Sequence, residues 1–439
     1  MADALELILW LILLALCLAL LTRRHWEKPL PRWAASVAAW PWRWWLVGFP
    51  VTLCRVRFTW RRLSAHAGLS VVKRPSFAVI GDQAMRGMAL RPVPARLGMI
   101  RPTRSGLKVW ARLQPGQTPR EFIDAAPVLT HAWRMHSVRV RSARRGHLEI
   151  TATAHDPLRA AALVPPAEVA SALPLLSARV GTLEVGGEWV LDLRAVPHYL
   201  VTGATQSGKS TWMAALVCAL APQPVALVGI DCKGGMELSL FAPRLSALAE
   251  SRTQAVTLLD TLLEEMQRRM SLCRTAGARS IWDLSEDARP VPVVVLVDEI
   301  AELYLSDGSK EGREEVASCS TGLLRIAQLG RALGIYLVAA GQRFGSELGG
   351  KVTALRAQLG GRICHRVSDP ETAQMTLGDL APDAVGIAQT IGTDEPGVSV
   401  TTTSGGQWTR ARCVYRSSEE VEEIARQHSD MTPPFPGLS

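Results

Sequence analysis

The sequence predicts an α/β protein, a parallel β-sheet with helices on both faces, preceded by a small α+β region and an apolar N-terminal segment. Three observations carry this. Between residues 180 and 415 short apolar runs alternate with longer helical stretches. One run, Tyr199-Leu200-Val201, leads into Gly203-Ala204-Thr205-Gln206-Ser207-Gly208-Lys209-Ser210, the G-x-x-x-x-G-K-[ST] spacing of a phosphate-binding loop. Another, Val293-Val294-Val295-Leu296-Val297, is continuously apolar, as a strand buried on both faces must be, and it ends in Asp298-Glu299.

Taken in order, the chain begins with fifteen uninterrupted apolar residues, Leu7 to Leu21; extension to Ala4 gives eighteen with Glu6 as the only charge. At 1.5 Å rise per residue this is roughly 27 Å, enough to cross a bilayer core. A cleaved signal peptide is the rival reading. The acidic start and the cluster Arg23, Arg24, His25, Lys28 and Arg32 after the run favour a single span over about 4–21, with the N-terminus outside and the body cytoplasmic. Residues 33–60 hold six tryptophans (33, 40, 42, 44, 45, 60) and read as an interfacial Trp/Arg segment, or as a second membrane segment, closing a membrane anchor over 1–62.

Residues 63–179 read as a basic α+β adaptor. Residues 107–111, 137–141 and 148–152 alternate like strands, and 119–135 has helical spacing after a Thr118-Pro119 start. The net charge of +9 is uneven: residues 63–194 carry eighteen Lys/Arg against nine Asp/Glu, whereas residues 195–439 carry twenty-two against twenty-eight. The basic excess therefore lies outside the α/β body. The Arg-rich adaptor strands fit a DNA-facing surface, a subunit contact or a solvated face.

In the body, strands are expected at 199–203, 225–231, 293–298, 335–341 and 361–367, with helices near 209–220, 254–273 and 313–332; residues 416–439 form a short tail. The eight cysteines show no C-x-x-C pair, as expected of reduced thiols. Gly203, Ala204, Thr205, Gln206, Ser207, Gly208, Lys209, Ser210 and Thr211 are the expected nucleotide cradle: the glycines let successive N–H groups turn towards phosphate, and the following helix aims its positive end there. Lys209 is expected to reach the β- and γ-phosphates of ATP, Ser210 and Asp298 to hold Mg²⁺, and Glu299 to polarise the attacking water.

Four further stretches surround this site: Pro197 to Gly203, Ile230-Asp231-Cys232-Lys233-Gly234-Gly235-Met236-Glu237-Leu238, Glu264 to Met270, and Leu329 to Arg343. Together they resemble the FtsK/SpoIIIE family of membrane-anchored double-stranded DNA translocases. The resemblance covers about 180–415 and implies a RecA-like P-loop NTPase motor, a ring expected to be a hexamer, and ATP-driven pumping of duplex DNA. It also implies that Gln342 senses the γ-phosphate and that an arginine, Arg331, Arg343 or Arg362, acts across the subunit boundary. Leu97 to Leu107 and Leu113 to Pro119 look like the adaptor of actinobacterial conjugative translocases of the Tra type, which move plasmids or integrative elements between mycelial cells as duplex DNA; membrane, duplex DNA, further copies of the chain and accessory transfer proteins are then the expected partners. The alternatives are a chromosome-partitioning translocase and a type VII-like protein-secretion ATPase. The residues after Tyr415 are too few for a winged-helix DNA reader, so sequence-directed loading is not expected.

Overall fold

The computed structural model describes residues 44–72, 92–103, 105–159, 173–345, 348–378, 382–402 and 407–435. The span expected over 4–21 and the tryptophans at 33, 40 and 42 lie outside them. Among the described residues no helix is long and apolar enough to cross a membrane. The chain divides into two compact units after Asp156, not at 179/180, because residues 177–183 pair into the sheet of the second unit.

In the first unit a short antiparallel pair, β1 (Ser70–Val72) and β2 (Pro92–Pro94), accompanies a four-stranded antiparallel sheet. Its order is β3 (Arg96–Pro102), β4 (Gly106–Arg112), β6 (His147–Thr153), β5 (Ser137–Arg144). Alternate residues, Leu107/Val109/Ala111, Val138/Val140 and Leu148/Ile150/Ala152, are buried against helices α1 (Phe49–His66), α2 (Pro119–Asp124) and α3 (Ala126–Trp133). This period of two is what a sheet with one covered face requires. The helical spacing over 119–135 resolves into two helices that meet at Ala125; Pro127, near the start of the second, has no N–H to continue the first.

Residues 44–60 divide between two faces: Trp45, Leu46, Val47, Val51 and Phe58 are exposed, whereas two tryptophans turn inward. Trp44 and Trp60 are buried in the core of the first unit, and their indole N–H groups donate to Gly106 O (3.0 Å) and Ala95 O (2.8 Å). The polar edges of these two tryptophans thus find carbonyls far along the chain.

The second unit is a ten-stranded mixed sheet in the order β11 (Ala247–Ala249), β10 (Ala226–Ile230), β12 (Val293–Val297), β13 (Ile335–Gly341), β9 (His198–Thr202), β14 (Gly361–His365), β15 (Val398–Thr402), β16 (Trp408–Cys413), β7 (Ser177–Leu183), β8 (Glu188–Asp192). From β11 to β14 all pairs are parallel; from β14 to β8 all are antiparallel. The wholly parallel sheet expected from the sequence is thus only the catalytic half of a larger one. In that half the apolar runs divide by alternation. Tyr199/Val201, Val294/Leu296 and Tyr336/Val338/Ala340 pack on α4 (Lys209–Leu220). Leu200, Val293/Val295/Val297 and Ile335/Leu337/Ala339 pack on α5 (Arg252–Thr275) and α6 (Lys310–Leu333). Each such aliphatic side chain contributes ~1.5–3 kcal/mol when fully buried, which fixes the strands whose ends carry the site.

Candidate nucleotide site

Three neighbouring parallel strands bring the motif residues together. Thr202 pairs with Gly341 and Ala339 with Val297, so the residues just beyond β9, β13 and β12 share one edge of the sheet. Gly203 N donates to Gly341 O (3.4 Å) and Ala204 N to Arg366 O (2.8 Å), closing the loop onto its strand neighbours. Gly208, at φ +100°, caps α4; a side chain there would strike the backbone of Gly397, whose N–H donates to Ser207 O (2.9 Å). The spacing therefore needs glycine at 208 for both conformation and room.

The loop borders a cleft of about 450 Å³ lined by every expected cradle residue except Ser207. Ser207 is buried, its N–H donates to Ala204 O (3.1 Å), and its hydroxyl packs so closely under Gly203 that a side chain at 203 would strike it. Lys209 Nζ donates to Asp298 O (2.9 Å) and lies 3.7 Å from Asp298 Oδ1 and 3.5 Å from Glu299 Oε2. Glu299 Oε1 accepts from the backbone N–H of Gln342 (3.1 Å), and the Gln342 side chain is on the cleft wall. Burial pushes Asp298 above the ordinary carboxylate range, against the pull of Lys209. Its Oδ1 is buried without a hydrogen-bond partner. A buried carboxylate oxygen with no donor, sharing the cleft with Ser210, fits a hard divalent cation such as Mg²⁺.

Sequence reasoning quoted Lys233 as part of a motif and gave it no role. Its Nζ donates to Glu299 Oε2 (3.2 Å). Burial works against its charge, yet Glu299 holds the Lys233 proton more tightly than usual. The place of Lys233 follows from the strand pairing: β10 lies beside β12 with Ile230 next to Val297, which sets the residues following both strands side by side. Asp231, buried, ties this turn down by accepting from the N–H groups of Lys233, Glu237 and Leu238 at 3.2, 2.9 and 3.2 Å. Met236, Glu237 and Pro396 complete the wall, and Arg366, which the sequence did not single out, donates to Thr205 O (2.9 Å) on the rim. Of the three arginines expected to act across a subunit boundary, Arg362 is buried and donates to Arg356 O (2.7 Å) in its own chain, which removes it from that role. Arg331 and Arg343 are exposed.

Comparison with known proteins adds independent support. Residues 33–154 match the actinomycete conjugal transfer protein N-terminal domain, and residues 162–290 and 283–346 match the FtsK/SpoIIIE family. The chain is 44% identical over 371 residues to the transfer protein TraSA of Streptomyces ambofaciens, an alignment covering 81% of this chain and 88% of that one. It is 47% identical over 263 residues to a sporulation regulatory protein of Streptomyces azureus, covering 60% and 84% of the two chains. The conjugation coupling protein TcpA of pCW3, solved as a monomer with ATPγS, superposes with a TM-score of 0.53 at 21% identity over 76% of this chain and 93% of that one, which is a likeness of fold. With the phosphate loop, the acidic strand end and the adaptor all in place, the chain belongs to the FtsK/SpoIIIE family, among the conjugal transfer proteins of the TraSA type.

Proposed function

We propose that the chain is a membrane-anchored ATPase that pumps double-stranded DNA in conjugative transfer, working as a ring, expected to be a hexamer, with its motor unit in the cytoplasm. The observation that carries the motor reading is the convergence of Lys209, Asp298, Glu299 and Gln342 on one cleft at the ends of three adjacent strands. The family supplies the substrate class, duplex DNA, and the accessory transfer proteins as partners.

In this reading the N–H groups of residues 203–211 and the N-terminus of α4 receive the ATP phosphates. Ser210 and Asp298 hold Mg²⁺, which when bound neutralises phosphate charge. Lys209, which lies against Asp298 and Glu299, turns to the β- and γ-phosphates. Glu299 then remains held by Lys233 and by the Gln342 N–H, aimed to polarise water, while the Gln342 side chain reports the γ-phosphate. An exposed arginine of the neighbouring subunit, in the position of Arg331 or Arg343, completes the transition-state charge.

The test is ATP turnover by the full chain in lipid nanodiscs with no DNA, with single-stranded DNA and with duplex DNA, using Glu299→Gln as the blank. Stimulation by duplex alone is expected; turnover indifferent to DNA would overturn the translocase reading in favour of a protein-secretion motor. Loss of the gene should reduce DNA transfer between cells, whereas a defect confined to sporulation or division would point to chromosome partitioning. The anchor is tested by carbonate extraction: the full chain should resist it, and a chain lacking residues 1–43 should not.

A further inference from the structure

The outer face of the adaptor sheet carries a charge pattern that the motor chemistry does not use. In an antiparallel sheet directly paired residues point to the same face, and the register places the cations in rows. Arg101 pairs with Lys108, Lys108 with Thr151 and Thr151 with Arg139. Trp110 pairs with Glu149, and Glu149 with Arg141. Arg96 pairs with Arg112, Arg112 with His147 and His147 with Arg144. Three rows thus hold seven Arg/Lys side chains and one carboxylate, Glu149, which pairs with Lys108 at 3.1 Å.

The opposite face is the core of the unit, so the sheet cannot turn these charges inward without losing that core. Sequence composition alone does not force the concentration. Residues 96–153 contain eleven Arg/Lys and only Glu121, Asp124 and Glu149 as acids, and both other acids sit on α2. Arg96, Arg101, Arg112, Arg141 and Arg144 are exposed. Like charges at neighbouring sheet positions repel, a cost that a solvated face gains nothing by bearing and that a polyanion relieves.

We propose that this face binds the phosphate backbone of duplex DNA, without regard to sequence, and forms a second DNA contact besides the motor unit. A polyanionic duplex fits the face better than an anionic membrane, because a membrane-docking surface needs apolar side chains to insert, and the only strongly exposed apolar side chain on these strands is Met99. Base stacking is disfavoured as well, since Trp110 is already covered by the Arg101 guanidinium at 5.4 Å. Backbone charge pairing with counterion release remains. The proposal rests on the translocase reading for the presence of duplex DNA near this surface.

The experiment uses the full chain in nanodiscs of neutral lipid. Duplex affinity is measured as a function of salt for wild type, for the triple variant Arg96→Gln/Arg112→Gln/Arg141→Gln, and for Glu149→Gln. If the three arginines each neutralise a phosphate, the slope of log affinity against log salt falls in magnitude by about 3 in the triple variant. The weakening is the same for unrelated sequences, and turnover without DNA is unchanged. Glu149→Gln, which releases Lys108 and adds one net positive charge, tightens duplex binding. An unchanged salt slope in the triple variant overturns the proposal. So does a loss of binding to phosphatidylserine vesicles with duplex affinity intact, which would assign the face to lipid. Failure of the translocase reading is seen separately, as wild-type turnover that does not respond to duplex.

Discussion

Replacing Glu299 by glutamine keeps the shape of a side chain that is only 5% exposed and removes its charge, and the distances around it give two consequences of opposite sign. Lys209 Nζ stands 3.5 Å from Glu299 Oε2; at an effective dielectric of about 20, unit charges at that separation attract by ~5 kcal/mol. Incoming phosphates must replace that attraction before they can use Lys209. In Glu299→Gln the lysine is left with Asp298 alone, so ATP binding should tighten, by up to about tenfold because water reclaimed by the freed ammonium offsets most of the difference. Turnover moves the other way. A positioned base supplies typically ~10²–10⁴-fold, so single-turnover hydrolysis should fall by that factor, about 3–5 kcal/mol on the barrier. Equilibrium titration with a fluorescent ATP and rapid-quench hydrolysis read the two effects independently. Turnover within tenfold of wild type, or weakened ATP binding, would refute the assignment of Glu299.

Three further outcomes are expected. Lys209→Ala should abolish turnover with the circular dichroism spectrum unchanged; wild-type-like turnover would remove the whole site assignment. His198 and His365 are each held at about 4 rather than 6.5 by burial, with Arg331 adding to the effect at His198. Because the folded values are depressed, the unfolded chain binds protons first, so their contribution is intact above pH 6.5 and lost as pH falls towards 4, ~3 kcal/mol for each histidine. A urea midpoint for the second unit that is level between pH 7.5 and 4.5 would show this to be wrong. Trp60→Ala should destabilise the first unit by ~3–5 kcal/mol, the cost of emptying a buried aromatic site, and a chain beginning at residue 63 should lose that unit's protease resistance while one beginning at residue 44 keeps it. If both keep it, α1 is not part of that core.

The parallel half of the sheet was legible because burial on both faces leaves a run with no polar residue to confuse its limits: residues 293–298 were expected and Val293–Val297 observed. The antiparallel half was not, and Arg410 shows why. It lies inside β16, is almost fully buried, and is balanced by Glu184 at 3.5 Å and Glu395 at 3.0 Å, partners 226 and 15 residues away in sequence. Locally the strand reads as charged loop; only the assembled sheet supplies the counter-charges that let it be buried. Lys233 failed for a related reason. Its motif was visible, but its meaning depends on β10 lying beside β12, a pairing no local pattern encodes.

Helix α1 presents the same difficulty in its strongest form. Residues 33–60 read from the sequence as an interfacial or second membrane segment on their tryptophan and arginine content, and a lipid surface, a second span and a protein core can all take up such tryptophans. What separates them is the fate of the indole N–H groups: at a membrane surface they would meet headgroups or water, whereas here Trp44 and Trp60 reach the carbonyls of Gly106 and Ala95 on the sheet beneath. Arg55 Nη1 likewise donates to Trp133 O (2.8 Å). Directional bonds of this kind fix both the position and the rotation of the helix against the sheet, which burial alone leaves loose. They also seal one face of that sheet, so every strand residue of opposite parity is committed to the other face. The basic surface is therefore the far side of a sheet whose near face is committed to the core, and a helix displaced by Trp60→Ala would be expected to loosen the register of the arginine rows together with that core.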